Sequence, residues 1–338
     1  NHKNKKIKNM IITAPTQVGK TQYIIDACKQ KKNEGYLFVI SCDNSISQAS
    51  QLATRLADNG IVSFDLENDK HFPKQIAEML VNNISPVIIC LNNSAQIHKL
   101  HSFIEELKLF QNAKKFIFFH DEADMLNKAD NVQEIDNQEI AICHRRWVLL
   151  MNSIERMKKK CYRYWVSATP ENCSSVSRIT GKDIICLPKV SSYRGISDHY
   201  HWNGGEGSIR QEVERVRLLK NGEVILYCVD KTNAAQEKKA REISEKFRCT
   251  TCVVNKNDIL LFRGGVKANH LINKADNISV VLDKTREFCK DYPMVVVGFL
   301  AMNRGISFVA RGGNLPPTAT VMFYNGGVNA HVVGLAQR

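Results

Sequence analysis

The sequence predicts an α/β protein of two tandem units, each built on a mainly parallel sheet, and three observations predict it. Short runs rich in β-branched and aromatic residues alternate with longer amphipathic stretches, as in strands joined by crossover helices. A Ser-, Gly- and Asn-rich interval interrupts that alternation once, in the middle of the chain, and then it resumes. The first apolar run leads directly into "APTQVGKT", Ala14 to Thr21, which places Gly-Lys-Thr at a strand-to-helix turn.

In the first unit the runs "MIIT", "LFVIS", "VIICL", "KFIFFH" and "YWVS" predict strands at 10–13, 37–41, 87–91, 115–120 and 164–167. The amphipathic stretches between them predict helices near 21–32, 47–57, 94–110 and 139–159. A second series follows, with strands at 223–229, 251–254, 294–298 and 320–324 and helices near 233–247 and 282–290. The domain boundaries expected from this pattern are 1–172 for the first unit, 173–207 for a linker and 208–338 for the second unit. The helix through "HRRWVLLMNSIERMKKK" carries Trp147, Leu150, Ile154 and Met157 at helical spacing, which favours a core-facing helix over a basic nucleic-acid helix.

The length of 338 residues suits two domains with their own cores, and 43% apolar with 24% charged residues is an ordinary globular composition. A formal net charge of +13 makes a polyanion a natural partner. The 11 cysteines are odd in number and sit in apolar runs, which suits a reducing intracellular compartment such as cytoplasm, nucleus or viral factory. Cys249 and Cys252 stand at metal spacing in "FRCTTCVV" without a second pair, so they are expected to be core strand residues, with no structural zinc. No apolar run reaches the ~20 residues that span a bilayer, and the basic start, 1–8, lacks a signal-peptide core. A soluble protein with a solvated basic arm is expected.

Three segments carry chemistry. Backbone N–H groups of a loop between a strand and a helix converge on phosphate oxygens, and the helix dipole adds to the attraction. Ala14, Pro15, Thr16, Gln17, Val18, Gly19, Lys20 and Thr21 form such a loop, in which Lys20 reaches the terminal phosphates and the Thr21 hydroxyl ligates Mg²⁺. Ala14 stands where the usual pattern has glycine, and the same residues alone also describe a plain strand–turn–helix. "KFIFFHDEADML" ends an apolar strand in Asp121 and Glu122, at the sheet edge where open α/β folds bind ligands. Asp121 would hold Mg²⁺ and Glu122 would polarise the attacking water. In "RYWVSATPEN", Ser167, Ala168 and Thr169 follow another strand and could hydrogen-bond to the acidic loop.

In the order "APTQVGKT", "DEAD", "SATP", the chain resembles the superfamily-two helicases and translocases. That resemblance implies two RecA-like domains with ATP and Mg²⁺ bound in a cleft between them, and many members carry alanine at the first loop position. It extends to "EVILYCVDK", "GFLAMNRGIS" with Arg304, and "HVVGLAQR" with Gln337 and Arg338, which resemble the fourth, fifth and sixth motifs. Arg304, Gln337 and Arg338 thereby join the catalytic set, while Asp124, Ser167, Ala168 and Thr169 would couple nucleotide state to movement. Ser307 stands where the family usually has aspartate, and the sixth motif's two further arginines would follow Arg338, so the chain is expected to stop inside that motif. Gln337 in place of histidine favours the processive helicase and DNA-translocase branches over DEAD-box RNA helicases. The stretches "IICLNNSAQIHKL" and "LPKVSSYRGI" are also similar to parts of helicase-like ATPases of large DNA viruses.

In this family the nucleic-acid strand crosses both domains, held through its phosphates. The matching loops here offer Asn44, Ser45, Asn93 and Ser94 in the first unit and Lys231 and Thr232 in the second. The same Ser and Asn residues also suit helix N-capping. Tyr193, Arg194 and Trp202 could stack on a base or simply pack beneath a loop. The expected function is an ATP-dependent nucleic-acid motor, with DNA slightly favoured over RNA, working within a replication, transcription or repair assembly. The alternatives are a helicase-shaped scaffold or clamp without productive turnover and a phosphate-loop enzyme of small molecules.

Overall fold

Strands that are apolar at every position, rather than at every second one, must be covered on both faces. The computed structural model describes residues 7–14, 18–42, 46–66, 72–106, 112–121, 123, 138–168, 183–188, 224–228, 232–247, 249–254, 259–273, 278–285, 293–298 and 317–321. The chain divides into two units, Asn1–Tyr193 and Arg194–Arg338.

The first unit runs β1 Ile7–Thr13, α1 Lys20–Gln30, β2 Tyr36–Cys42, α2 Ile46–Asp58, β3 Ser63–Asp65, α3 Phe72–Val81, β4 Val87–Leu91, α4 Ser94–Glu106, β5 Lys115–His120, α5 Gln138–Arg156, β6 Lys160–Ser167 and β7 Ile184–Cys186. Its 7-stranded sheet has the order β3-β4-β2-β5-β6-β1-β7, and every pairing is parallel. Alternate residues of β2 serve opposite cores. Phe38 and Ile40 pack with Ile24 and Ile25 of α1 and Leu52 and Leu56 of α2. Leu37 and Val39 pack with Ile76 of α3, Leu100 of α4 and Leu150 and Ile154 of α5. Trp147, Leu150 and Ile154 of α5 are buried, so this helix turns its apolar side to the core.

Several elements differ from expectation. β1 starts at Ile7, so Ile7 and Lys8 of the expected solvated arm are strand residues, paired with Cys161 and Tyr162 of β6. Lys8 also forms an ion pair at 3.4 Å with Asp183, just before β7. The interval 173–207 contributes β7 to the first sheet, on the outer side of β1. β3 and α3 are additional; three residues of strand carry too little periodicity to stand out. α5 stops at Arg156, and Lys158 follows with a left-handed φ of 58°, which ends the helix.

The second unit runs β8 Val224–Cys228, α6 Asn233–Phe247, β9 Thr250–Val254, β10 Ile259–Arg263, β11 Val266–Lys267, α7 Ile278–Thr285, β12 Met294–Gly298 and β13 Pro317–Val321. Its 6-stranded sheet has the order β11-β10-β9-β12-β8-β13. The pairings β9–β12–β8–β13 are parallel, and β10 and β11 extend the edge antiparallel. The sequence pattern did not predict this hairpin. Its two-residue turn is Gly264-Gly265, with φ of 57° and 76°, the signs a type I′ turn demands. α6 lays Ala240 and Ile243 on Val253, Phe262, Val295 and Val297, and the Thr251 hydroxyl donates to the Ala240 carbonyl at 2.9 Å. Cys249 and Cys252 are buried at and within β9. β13 lies three residues before the expected 320–324, and 322–324 fall outside the described residues, as do 286–290 of the expected helix. Among the described residues no helix is long and apolar enough to cross a membrane.

Phe116 is fully buried on β5 between Leu37 of β2 and Cys161 of β6. Phe116→Ala should therefore cost about 3–5 kcal/mol, seen as a lower denaturation midpoint at unchanged slope in the transition of the first unit.

Candidate active site

The site starts from strand ends. In the parallel ladder Thr13 of β1 sits opposite Ser167 of β6, and His120 of β5 sits opposite Trp165 of β6. Three adjacent strands, β5, β6 and β1, thus bring Asp121, Ser167 and Ala14 to one carboxyl edge of the sheet.

After β1, Ala14 and Val18 are buried and Gly19 caps α1 with φ 95° and ψ 25°. Gly19 gives α1 no side-chain cap and its first turn holds no acidic residue, an arrangement in which helix N–H groups and dipole attract an anion. Lys20 is only 7% exposed, and its Nζ donates back to the Ala14 carbonyl at 3.4 Å. The ammonium is therefore held over the loop rather than in solvent. Thr21 is half-buried one residue on; Pro15, Thr16 and Gln17 lie outside the described residues.

Asp121 directly follows β5, is 9% exposed, and its N–H donates to the Ser41 carbonyl at the end of β2, 2.9 Å away. Ser167 is fully buried and Ala168 half-buried, whereas Glu122, Asp124 and Thr169 fall outside the described residues. Among the described residues no three His, Cys, Asp or Glu side chains gather to hold a metal. The Thr21 hydroxyl and the Asp121 carboxylate are each oxygen donors of the kind that suits Mg²⁺.

Sequence reasoning missed what lies behind Asp121. His120 is fully buried; Arg163 Nε donates to its Nε2 at 2.7 Å. Its ring stacks on Trp165 at 4.8 Å and meets Trp147 edge-on at 4.8 Å, and the Arg163 guanidinium lies 4.1 Å over the Trp165 ring. Burial, with the Arg163 charge beside it, holds His120 well below the ordinary histidine range. The only signal in the sequence was a polar residue ending an apolar strand. Arg55 of α2 was also missed: it donates to Gln22 of α1 at 3.2 Å. Partial desolvation lowers its pKa and the Asp121 charge opposes that shift.

Asn93 Oδ1 accepts from the Gln96 N–H at 2.9 Å and so caps α4, while Arg146 of α5 donates to the Ser94 carbonyl. Thr232 Oγ1 accepts from the Ala235 N–H at 3.3 Å and caps α6. Asn44, Ser45, Lys231, Tyr193, Arg194, Trp202, Arg304, Ser307, Gln337 and Arg338 lie outside the described residues. A cavity of about 250 Å³ is lined by Tyr23, Tyr36, Lys115, Phe119, Tyr162 and Tyr164, none of them a residue singled out in the sequence.

No family model and no curated protein matches the sequence. Among solved structures, a point variant of S. cerevisiae Dbp5 bound to RNA and ADP–BeF₃ superposes with a TM-score of 0.54 at 14% identity, over 98% of this chain and 75% of that one. Mss116p bound to ssRNA and AMP-PNP gives 0.51 at 12% identity, over 97% and 63%. The NS3-like helicase from Alongshan virus gives 0.47 at 13%, over 87% and 58%, so the chain spans three fifths to three quarters of the length of these structures. At such identities the likeness is one of fold.

Two outcomes follow from the geometry. A Cβ at Gly19 would meet only the Gln22 Cβ at 3.8 Å, an ordinary contact, so Gly19→Ala acts through its φ of 95°; a loss of about 1–2 kcal/mol in chemical unfolding is expected. As pH falls past about 6.5 the unfolded chain takes up a proton that buried His120 refuses. Stability should be level above that pH and decline below it, and His120→Gln should flatten the slope between about pH 7 and 5 in denaturation midpoints.

Proposed function

We propose that this chain, whose fold is that of a superfamily-two helicase core, is an ATP-dependent nucleic-acid motor. The observation that carries the reading is the buried Lys20 at an uncapped helix N-terminus, on the same sheet edge as Asp121 and Ser167. The related folds hold a nucleotide or its analogue together with RNA, which supports the same use here.

On this reading the α1 N–H groups and the residues Ala14 to Thr21 cradle the phosphates, and Lys20 leaves the Ala14 carbonyl to pair with the terminal ones. Thr21 and Asp121 would hold Mg²⁺, which when bound would supply charge neutralisation at the phosphates. Glu122 orients the attacking water and takes its proton. Ser167, Ala168, Thr169 and Asp124 sense the acidic loop, and Arg304, Gln337 and Arg338 of the second unit complete the catalytic set. Asn44, Ser45, Asn93, Ser94, Lys231 and Thr232 contact the strand through its backbone. Capping by Asn93 and Thr232 is compatible with this, since a capped helix N-terminus still directs N–H groups at a phosphate. The net charge of +13 suits a polyanionic track. DNA is slightly favoured over RNA, and the cysteine-rich core suits a reducing intracellular compartment.

The test is steady-state ATP hydrolysis alone and with single-stranded DNA, duplex DNA or RNA. Lys20→Ala should abolish nucleotide binding, and unchanged affinity would remove its role. Glu122→Gln should bind ATP while turnover falls by about 10²–10⁴. Nucleotide binding without stimulation by any polymer would favour a scaffold or clamp.

A further inference from the structure

The loop that leads from β4 into α4 and the turn that carries Asp121 are joined by a chain of side chains that neither nucleotide nor nucleic-acid contact requires. Asn92 Oδ1 accepts from the Trp147 Nε1 of α5 at 3.2 Å, and the neighbouring Arg146 holds the Ser94 carbonyl. Trp147 is 2% exposed. Its ring meets His120 edge-on at 4.8 Å and Phe118 edge-on at 6.2 Å. His120 is covalently next to Asp121 and is fixed from its other side by Trp165 and Arg163.

A second set of hydrogen bonds ties α4 to α5. The Ser153 hydroxyl of α5 donates to Glu105 Oε1 of α4 at 2.8 Å, His101 Nε2 lies 2.9 Å from Ser153 Oγ, and Arg156 Nη2 donates to that oxygen at 2.9 Å. The Asn92 N–H donates to the Cys42 carbonyl at 2.8 Å while the Asp121 N–H donates to that of Ser41. Both loops therefore lean on the last two residues of β2. The β4–α4 loop and the Asp121 turn are thus connected through buried, close-packed side chains and through the end of β2.

We infer that Trp147 is a positioning residue that links, through Asn92, the segment carrying Asn93 and Ser94 to the Asp121 turn, so that nucleic acid seated on Asn93 and Ser94 sets the placement of Asp121. The inference rests on the proposed motor reading and deepens it, by assigning the route through which the track would control turnover in the first unit. Trp147 touches neither ATP nor nucleic acid in this scheme.

Trp147→Phe keeps an aromatic ring against His120 and deletes the Nε1 donor; Asn92→Ala deletes the acceptor from the loop side with less risk to the core. The experiment measures ATP hydrolysis with and without the single-stranded polymer that stimulates the wild type most, and the affinity of each variant for it. Each variant should keep unstimulated turnover and polymer affinity within about twofold of wild type while the stimulation factor falls about threefold to tenfold, and the double variant should fall no further than either single one. Wild-type stimulation in a folded Asn92→Ala variant, or an equal fall in the basal and stimulated rates, would overturn the link. A wild type that binds nucleotide yet responds to no polymer would instead remove the motor reading, and the link with it.

Discussion

Parallel pairing of β5, β6 and β1 in one register is the constraint on which the candidate site depends. Parallel strands all end at the same sheet edge, so segments far apart in sequence arrive side by side without any contact having to be designed between their loops. Thr13 beside Ser167 and His120 beside Trp165 set the level at which the chain leaves the sheet at Ala14, Ala168 and Asp121. A slip of one residue would send alternate side chains to the opposite core, since Phe116 and Phe118 belong to one side and Phe119 to the other.

That edge is unusually polar for an interior. Lys20, Ser41, His120, Asp121 and Ser167 are all buried there, and burial of such groups costs free energy unless partners are supplied. The fold supplies them unevenly: Lys20 has the Ala14 carbonyl and His120 has Arg163. Among the described residues the Ser41 hydroxyl and His120 Nδ1 have no hydrogen-bond partner. Polar groups held in this way stay oriented and poorly hydrated, the condition under which charge on a phosphate is best met.

The two sheets differ in how they end. The first remains parallel to both edges, with β3 and the three-residue β7 as short outer strands. The second closes one side with the β10–β11 hairpin, whose two glycines both adopt left-handed φ. Short or hairpin-turned edges leave few unpaired backbone groups for another chain to join.

Most of the described strands and helices, and the strand-to-helix turn at Gly-Lys-Thr, were legible in the amino-acid sequence, because continuous apolar runs and such a turn are local signals. Strand β4 and strand β5 follow their expected limits, since Val87–Leu91 lies between Pro86 and Asn92 and Lys115–His120 between Lys114 and Asp121. Other features depended on partners distant in the chain. Lys8 joins a strand because β6 and β7 flank it, and β7 is a strand because β1 offers an open edge. His120 reads as the polar end of a strand until α5 and β6 bring Trp147, Trp165 and Arg163 around it. Local periodicity therefore determined most of the strands and helices, while the tertiary structure decided the edge strands and which side chains share the carboxyl edge, because burial and hydrogen-bond pairing are properties of neighbours in space.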